Sequence, residues 1–195
     1  MTIDLAPAAN RMAILVRNVR DDQLAAATPC PAYTLGELLD HVSGGAFAFA
    51  AAANKDLEIG SQAPSADASR LGDDWRDRIP RLLEEVAAAW QQPDAWTGMT
   101  RAGGVDLPGE IAGLVALDEL VMHGWDVARA SGQQYDVDEA SVDATWSFVS
   151  QFSGPGHENE RRGLFGPEVD VPADATKFDR LLAMAGRDPE WSAPA

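Results

Sequence analysis

Histidine and cysteine, two of the side chains that bind transition metals best, are scarce in this chain. The 195 residues contain three histidines and one cysteine, Cys30. A single cysteine excludes an internal disulfide, and Cys30 has no histidine near it in sequence to activate its thiol. We therefore expect Cys30 to be a buried or half-buried loop residue, and any metal site must draw on few histidines.

Positive charge and long apolar runs are also limited. The 15 basic residues are dispersed among 31 acidic ones, giving a formal net charge of -16, which argues against binding to nucleic acids or acidic membranes. The longest apolar run, 46–53, is too short to span a bilayer, and the sequence Met1-Thr-Ile-Asp4 does not begin a signal peptide. These features predict a cytoplasmic protein that does not interact with membranes or nucleic acids.

Apolar residues recur at helical spacing along most of the chain and predict an all-α fold. We expect long helices at about 5–19, 35–55, 75–90, 108–130 and 137–152, and a short last helix at 178–185. Pro80 requires that the third helix start near it or kink. The segments 60–73 and 93–108 are typical of loops, and 164–172 of an extended segment laid over the bundle. The length fits one domain, 1–195, with a four-helix-bundle core at about 3–152 and a C-terminal extension at about 153–195.

The predicted fourth helix carries the most informative residues. It is apolar on nearly every side, as in a buried helix, yet it contains the polar residues Asp118, Glu119, His123 and Asp126. Glu119 and His123 are four residues apart and point the same way, and Asp126 falls on the same stripe. Buried charges of this kind need partners, and a divalent cation could be one. One helix therefore offers two or three metal ligands on one face.

A further ligand is expected from the second helix. His41 lies about two turns into that helix, which opens with a capping box formed by Thr34 and Glu37. Gly45 and Ala48 share its stripe, so this face can approach another helix closely. His157 lies in a loop-like segment and is the weakest candidate. From spacing alone, a metal site and a plain bundle core remain equally open, because the acids could instead pair with Arg129 or Arg101.

Two segments of the sequence match a known family. The segment Thr28-Pro-Cys-Pro-Ala-Tyr-Thr-Leu-Gly-Glu-Leu-Leu-Asp-His41 and the later segment Leu117-Asp-Glu-Leu-Val-Met-His-Gly-Trp-Asp-Val-Ala-Arg-Ala-Ser-Gly132 resemble the N-terminal metal-binding domain of mycothiol-dependent maleylpyruvate isomerases. That domain belongs to the DinB-like superfamily of four-helix bundles. The C-terminal tail is similar to a subgroup of small actinobacterial metal-binding proteins. The resemblance implies a divalent metal, usually zinc but with nickel or another metal as alternatives, bound by His41, Glu119 and His123.

The resemblance also implies a function. Three protein ligands would leave one coordination position of the metal open. A low-molecular-weight thiol such as mycothiol would bind there and lose its proton. The chain would then be a metal-dependent thiol S-transferase or an isomerase-like enzyme acting on an electrophilic small molecule, and it could form a homodimer. Asp126 would orient His123 or pair with Arg129 on the helix surface. The isomerases carry a second, C-terminal domain for which 195 residues leave no room, so we do not expect maleylpyruvate isomerisation itself.

Two other functions are compatible with the same residues. The metal could instead activate water, as in a metal-dependent hydrolase, although His-Glu-x-x-His is absent. Alternatively, the metal could stabilise a non-catalytic bundle. A deep open pocket beside the metal would favour an enzyme, whereas a fourth protein ligand, such as His157 or Asp126, would favour a structural role.

Overall fold

The protein is built from helices and one small hairpin. A computed structural model describes residues 2–61 and 66–193. Its helices are α1 (Ala6–Asn18), α2 (Leu35–Ala53), α3 (Trp75–Trp90), α4 (Gly109–Ser131), α5 (Glu139–Val149) and α6 (Lys177–Met184), and its strands are β1 (Met99–Ala102) and β2 (Val105–Pro108). Short 3-10 turns lie at Asp21–Gln23, Ile59–Ser61, Ala68–Arg70, Pro93–Trp96 and Ser150–Phe152. The predicted all-α fold class is confirmed.

The first four helices form the predicted four-helix bundle. α1 and α2 each pack against both α3 and α4, so the helices follow one another around the bundle in the order α1, α3, α2, α4. α5 packs on the outer side of α4, and α6 packs on α5. α4 is therefore the most enclosed helix, and its side chains are buried along nearly its whole length. This position accounts for its apolar sequence.

Local sequence fixes where α2 and α4 begin and end. Thr34 Oγ1 accepts a hydrogen bond from the Glu37 amide, and the Glu37 carboxylate accepts one from the Thr34 amide at 2.8 Å. This confirms the predicted capping box. α4 ends at Gly132, whose φ of 72° is in the left-handed region that glycine adopts without strain. These two boundaries set the register of His41 on α2 and of the polar residues on α4.

One predicted helix keeps a proline in its interior, and one predicted loop contains a hairpin. α3 begins at Trp75 and continues through Pro80, which lies in its second turn. The segment predicted as the 93–108 loop instead contains the β1–β2 hairpin, with Gly103 and Gly104 at its turn, both at positive φ. Such a two-residue glycine turn is typical of a hairpin. The strands have only four residues each, which is too short for a clear alternating pattern.

The C-terminal part of the chain lies against α4 and α5. The guanidinium of Arg161 is buried and donates hydrogen bonds to the carbonyls of Phe152, Gly166 and Met184, joining three separate segments. The segment 164–172 has no regular structure, and the Val169 amide donates to the Ala183 carbonyl. This placement agrees with the predicted extended segment. Part of the predicted 60–73 loop, residues 62–65, lies outside the described residues.

None of the helices in the described ranges is long and apolar enough to cross a membrane.

Candidate metal centre

Three side chains from two helices converge at one point in the bundle. His41 comes from α2, and Glu119 and His123 come from α4. Glu119 Oε2 lies 3.1 Å from His41 Nε2 and 3.2 Å from His123 Nε2. One potential ligand atom from each residue lies within 4.8 Å of the other two. The structure therefore brings together the three residues that the sequence singled out, while their role as ligands stays a prediction.

Asp126 supports His123 from behind. The Nδ1–H of His123 donates a hydrogen bond of 2.9 Å to Asp126 Oδ2, and the same oxygen accepts one of 3.1 Å from Arg187 Nη2. The Asp126 side chain is completely buried. Because its carboxylate can only accept, His123 must carry a proton on Nδ1, and Nε2 then faces the cluster. The Asp126 carboxylate is therefore placed to orient the His123 ring and pairs with Arg187 instead of Arg129, while its role beside a bound metal stays a prediction.

Charge within the cluster shifts the pKa values of Glu119 and His123. Burial alone would lower the pKa of His123, but the carboxylates of Glu119 and Asp126 outweigh it and raise that pKa to about 10. Burial would likewise raise the pKa of Glu119, but His123 and His41 outweigh it and hold it well below its usual range. In the absence of metal, His123 is therefore a cation at neutral pH, stabilised by two carboxylates.

Several buried polar atoms beside the cluster have no protein partner. Within the described residues, these include His41 Nδ1, Asp118 Oδ1, Asp126 Oδ1 and Arg187 Nε. Burial, reinforced by the negative charge of Glu119, raises the pKa of Asp118 to about 7. Buried polar groups are normally hydrogen-bonded. Their concentration here identifies the cluster as a place where a ligand or water could supply the missing partners.

The cluster lies at the wall of an open pocket of about 400 Å³. The pocket is lined by the loop before α2, including Cys30 and Tyr33, and by residues 163–167 with Arg187. The Tyr33 ring stacks on the His41 imidazole with ring centroids 5.2 Å apart. A volume of this size is typical of small-molecule sites. The pocket therefore gives a small molecule access to the three converging side chains.

The remaining residues that the sequence offered, one as a metal ligand and two as partners of the acids on α4, do not belong to the cluster. The His157 side chain is 40% exposed, and its Nδ1 lies 2.7 Å from the carboxylate of Glu160, outside the cluster. Arg129 donates to the Trp191 carbonyl, and Arg101 pairs with Asp106. The interpretation in which Arg129 or Arg101 neutralises the acids of α4 is therefore wrong. Trp125, the remaining aromatic side chain in this part of α4, is buried in the core.

Sequence reasoning missed the residues that come from distant segments. Arg187, the cationic partner of Asp126, lies 61 residues from it and belongs to no helical pattern. Tyr33 drew attention only through the family motif that contains it. Cys30 is half-buried, as expected, but the sequence did not indicate that it lines the pocket. The only signal for Arg187 was its place in the tail segment Gly186-Arg-Asp-Pro189. Spacing within one helix cannot reveal such contacts.

The chemistry of the converging atoms fits a divalent transition metal. Two imidazole nitrogens and one carboxylate oxygen are a ligand set that zinc takes in proteins. The hydrogen bond from His123 to Asp126 fixes the tautomer that a ligating histidine requires. The open pocket leaves space on one side of the three donors. The residues present therefore suit a metal held by three protein side chains.

The fold and the site define a class: a four-helix bundle with a candidate metal centre between two of its helices, open to a pocket. Residues 5–128 match the family model described as the mycothiol maleylpyruvate isomerase N-terminal domain. The chain belongs to this family, and the resemblance seen in the sequence is confirmed. The pocket wall formed by residues 163–167 and Arg187 lies beyond the matched segment.

Similar proteins agree with this family. The chain is 29% identical over 185 residues to an uncharacterized protein of Mycobacterium tuberculosis, called Rv0738 in strain H37Rv and MT0763 in strain CDC 1551. The match covers 92% of this chain and 93% of the relative. The crystal structure of the mycothiol-dependent maleylpyruvate isomerase is similar with a TM-score of 0.57, at 17% identity, over 77% of this chain and 70% of that one. A histidine-to-alanine mutant of that isomerase gives a TM-score of 0.52 over the same shares. At this identity, the likeness shows the fold alone.

Proposed function

We propose that this protein is a metal-dependent enzyme that activates a low-molecular-weight thiol, such as mycothiol, for transfer to an electrophilic small molecule. His41, Glu119 and His123 would hold the metal, with zinc as the best fit to two imidazoles and a carboxylate. The observation that carries the proposal is the convergence of these three donors at the wall of an open pocket of about 400 Å³. The choice of a thiol is supported by membership of a family named for mycothiol.

The pocket favours an enzyme over a metal that serves only to stabilise the bundle. A structural metal is normally enclosed by four protein ligands. Here the two residues considered as a fourth ligand are placed otherwise, since Asp126 is bound to His123 and Arg187, and His157 is bound to Glu160. The described residues therefore offer three converging donors and an accessible space beside them.

Each residue around the site has a distinct task in this proposal. A divalent metal such as zinc, when bound, lowers the pKa of a coordinated thiol and so supplies a thiolate at neutral pH. Asp126 fixes the orientation of the His123 ring, and Arg187 compensates the negative charge of Asp126. Tyr33 packs on His41 and limits the movement of that ring. Burial, with Cys30 and Glu119 adding negative potential, raises the pKa of Tyr33, so its phenol keeps its proton and can donate a hydrogen bond in the pocket.

The transfer itself needs no oxidant or reductant. The thiol loses its proton to solvent, and its sulfur then forms a bond to an electrophilic carbon. In a displacement, the bond from that carbon to the leaving group breaks and its electron pair departs with the leaving group. In an addition to a conjugated double bond, the electron pair moves to the far carbon, which takes a proton from solvent.

Cobalt substitution provides the experiment that tests this function. The full chain is loaded with Co²⁺, and mycothiol, glutathione and free cysteine are titrated in separately. Direct binding of sulfur adds an intense near-ultraviolet charge-transfer band, which carboxylate or water ligation does not produce. We expect this band with at least one of the three thiols, and we expect Glu119→Ala and His123→Ala to abolish it.

The protein's own thiol requires a control, because Cys30 lines the same pocket. In Cys30→Ala, the band produced by added thiol should be unchanged. A band that is present before any thiol is added and absent in Cys30→Ala would mean that Cys30 binds the metal, and this would contradict the proposed three-ligand site. If no thiol changes the cobalt spectrum while an ester or amide is hydrolysed, the protein is a hydrolase instead. If neither occurs, a non-catalytic bundle is the better account.

A further inference from the structure

Asp118 on α4 has a buried carboxyl group with an unmet capacity for hydrogen bonds. Only 7% of the residue is exposed, and its Oδ1 has no hydrogen-bond partner among the described residues. The acids that follow it on the helix are bound. Glu119 Oε2 lies 3.2 Å from His123 Nε2, and Asp126 accepts hydrogen bonds from His123 and Arg187. Asp118 is therefore a buried acceptor that no described side chain or amide satisfies.

The positive charges around Asp118 are engaged elsewhere. Arg187 and His123 are close enough to act on its charge, but Arg187 Nη2 and His123 Nδ1 both donate their hydrogen bonds to Asp126. A buried acceptor without a partner costs free energy, and most buried polar groups in proteins have one. A local cost of this kind, with no structural gain, is expected mainly at functional sites. The contacts within residues 2–61 and 66–193 give no structural reason for an acid at position 118.

Asp118 lines the open pocket beside the candidate metal centre. It is not one of the three side chains whose donor atoms converge, so we do not expect it to bind the metal. It directly precedes Glu119, and adjacent residues of a helix point about 100° apart around the helix axis. A small molecule held at the three converging side chains would therefore need only a short extension to reach the carboxyl group of Asp118.

We infer that Asp118 accepts a hydrogen bond from the nitrogen of a cysteine-based thiol whose sulfur lies at the candidate metal centre. This inference rests on the proposed thiol activation. In such thiols two carbons separate the sulfur from the nitrogen, which is an amide N–H in mycothiol and glutathione and an ammonium group in free cysteine. Either group can donate to a carboxyl oxygen. A thiol without this donor would leave Asp118 buried and unpaired, so Asp118 selects cysteine-based thiols over other thiols.

Two small thiols of nearly the same size test this contact. N-acetylcysteamine carries an amide N–H two carbons from its sulfur, and in 2-mercaptoethyl acetate an ester oxygen replaces that N–H. Each thiol is titrated into the Co²⁺-loaded full chain, its integrity is checked by mass spectrometry, and its dissociation constant is taken from the near-ultraviolet band. A buried acceptor left unpaired corresponds to a loss of about 10–100-fold in affinity. We therefore expect N-acetylcysteamine to bind the wild type more tightly than the ester by about this factor.

Variants at position 118 assign the preference to its carboxyl group. Asp118→Leu removes the acceptor but keeps a side chain of similar size, and it should bring the two dissociation constants to within about twofold of each other. Asp118→Asn retains a carbonyl oxygen and should keep a preference of about 2–10-fold. Asp136→Leu is the matched control, because it removes an acid that is 90% exposed and does not line the pocket, and it should keep the wild-type preference. A purely structural role of Asp118 would leave the preference unchanged in every variant.

The variants are first compared for metal content and stability. Asp118→Leu should contain as much cobalt as the wild type, because Asp118 is not one of the converging donors. Its Tm should be no lower than that of the wild type, because Asp118 Oδ1 has no hydrogen bond to lose. If leucine prevents folding, Asp118→Asn carries the test, and its preference for N-acetylcysteamine should still fall below that of the wild type.

The outcomes separate this inference from the proposed function. If both thiols produce the cobalt band with equal dissociation constants in the wild type, the inference is overturned while thiol activation stands. The same holds if the preference for N-acetylcysteamine persists in Asp118→Leu. If neither of these thiols produces the band, and mycothiol, glutathione and cysteine also fail to do so, the proposed function is refuted and the inference is refuted with it.

Discussion

Asp126 and Arg187 form a buried ion pair that ties the C-terminal segment to the centre of the bundle. Arg187 Nη2 lies 3.1 Å from Asp126 Oδ2, and the two residues are 61 positions apart in sequence. The same carboxylate oxygen accepts a hydrogen bond from the Nδ1–H of His123. Burial would raise the pKa of Asp126, but Arg187 and His123 outweigh it and hold that pKa below its usual range. The ion pair therefore links the stability of the fold to the geometry of the candidate metal centre.

Removal of Arg187 should destabilise the protein strongly. Arg187→Ala leaves the Asp126 carboxylate buried with only His123 to compensate its charge, and loss of one partner of a buried pair typically costs about 3–5 kcal/mol. Urea denaturation of the metal-free proteins measures the difference. Arg162→Ala removes an exposed arginine from the same part of the chain and should change the free energy of unfolding by less than about 0.5 kcal/mol. Equal free energies of unfolding of the two variants would show that the Asp126–Arg187 pair does not stabilise the fold.

Asp126→Asn should weaken metal binding without abolishing it. The carboxylate orients the His123 ring and increases its basicity, and loss of such a supporting group typically lowers metal affinity about 10–100-fold. Competition with a chromophoric chelator measures the affinity. Asp136→Asn is the matched control, because the Asp136 side chain is 90% exposed and pairs with Arg11 instead of orienting a histidine. An unchanged affinity in Asp126→Asn would contradict the supporting role.

Metal binding should release a proton at neutral pH. With a pKa of about 10 in the metal-free protein, His123 is protonated at pH 7, whereas a ligating imidazole must be neutral. Binding should therefore expel about one proton from His123, and affinity should fall as the pH is lowered because protons compete with the metal. Isothermal titration calorimetry in two buffers of different ionisation enthalpy counts the protons. Identical heats in both buffers would mean that His123 is already neutral or is not a ligand.

The sequence predicted the bundle well because its signals are local. The 3.6-residue periodicity indicated α1, α2, α4 and α5 with small errors at the ends, and the capping box at Thr34 located the start of α2 correctly. The four-residue spacing of Glu119 and His123 placed both side chains on one face before any contact was known. Such information lies within one or two turns of helix, and the backbone geometry is nearly the same in every helix.

The parts that were missed depend on the path of the chain between helices. The spacing of residues in α4 does not show that Arg187 pairs with Asp126. Nor does it show that the loop carrying Cys30 and the segment 163–167 line the same pocket. The β1–β2 hairpin was missed because its strands are short and expose Met99 and Val105, so no alternation marks them. Contacts of this kind are set by the packing of distant segments.

The central claim is that His41, Glu119 and His123 hold a metal ion, and elemental analysis of purified variants tests it most directly. The wild type and His157→Ala should each contain about one divalent metal ion per chain, because three converging donors suffice for a site of this class. His41→Ala and His123→Ala should each lose most of the metal at low-micromolar metal concentration. Chelation should lower the Tm of the wild type and of His157→Ala, since a ligand that binds only the folded state stabilises it. Equal metal content in all four proteins, or none in the wild type, would contradict the site and the function proposed for it.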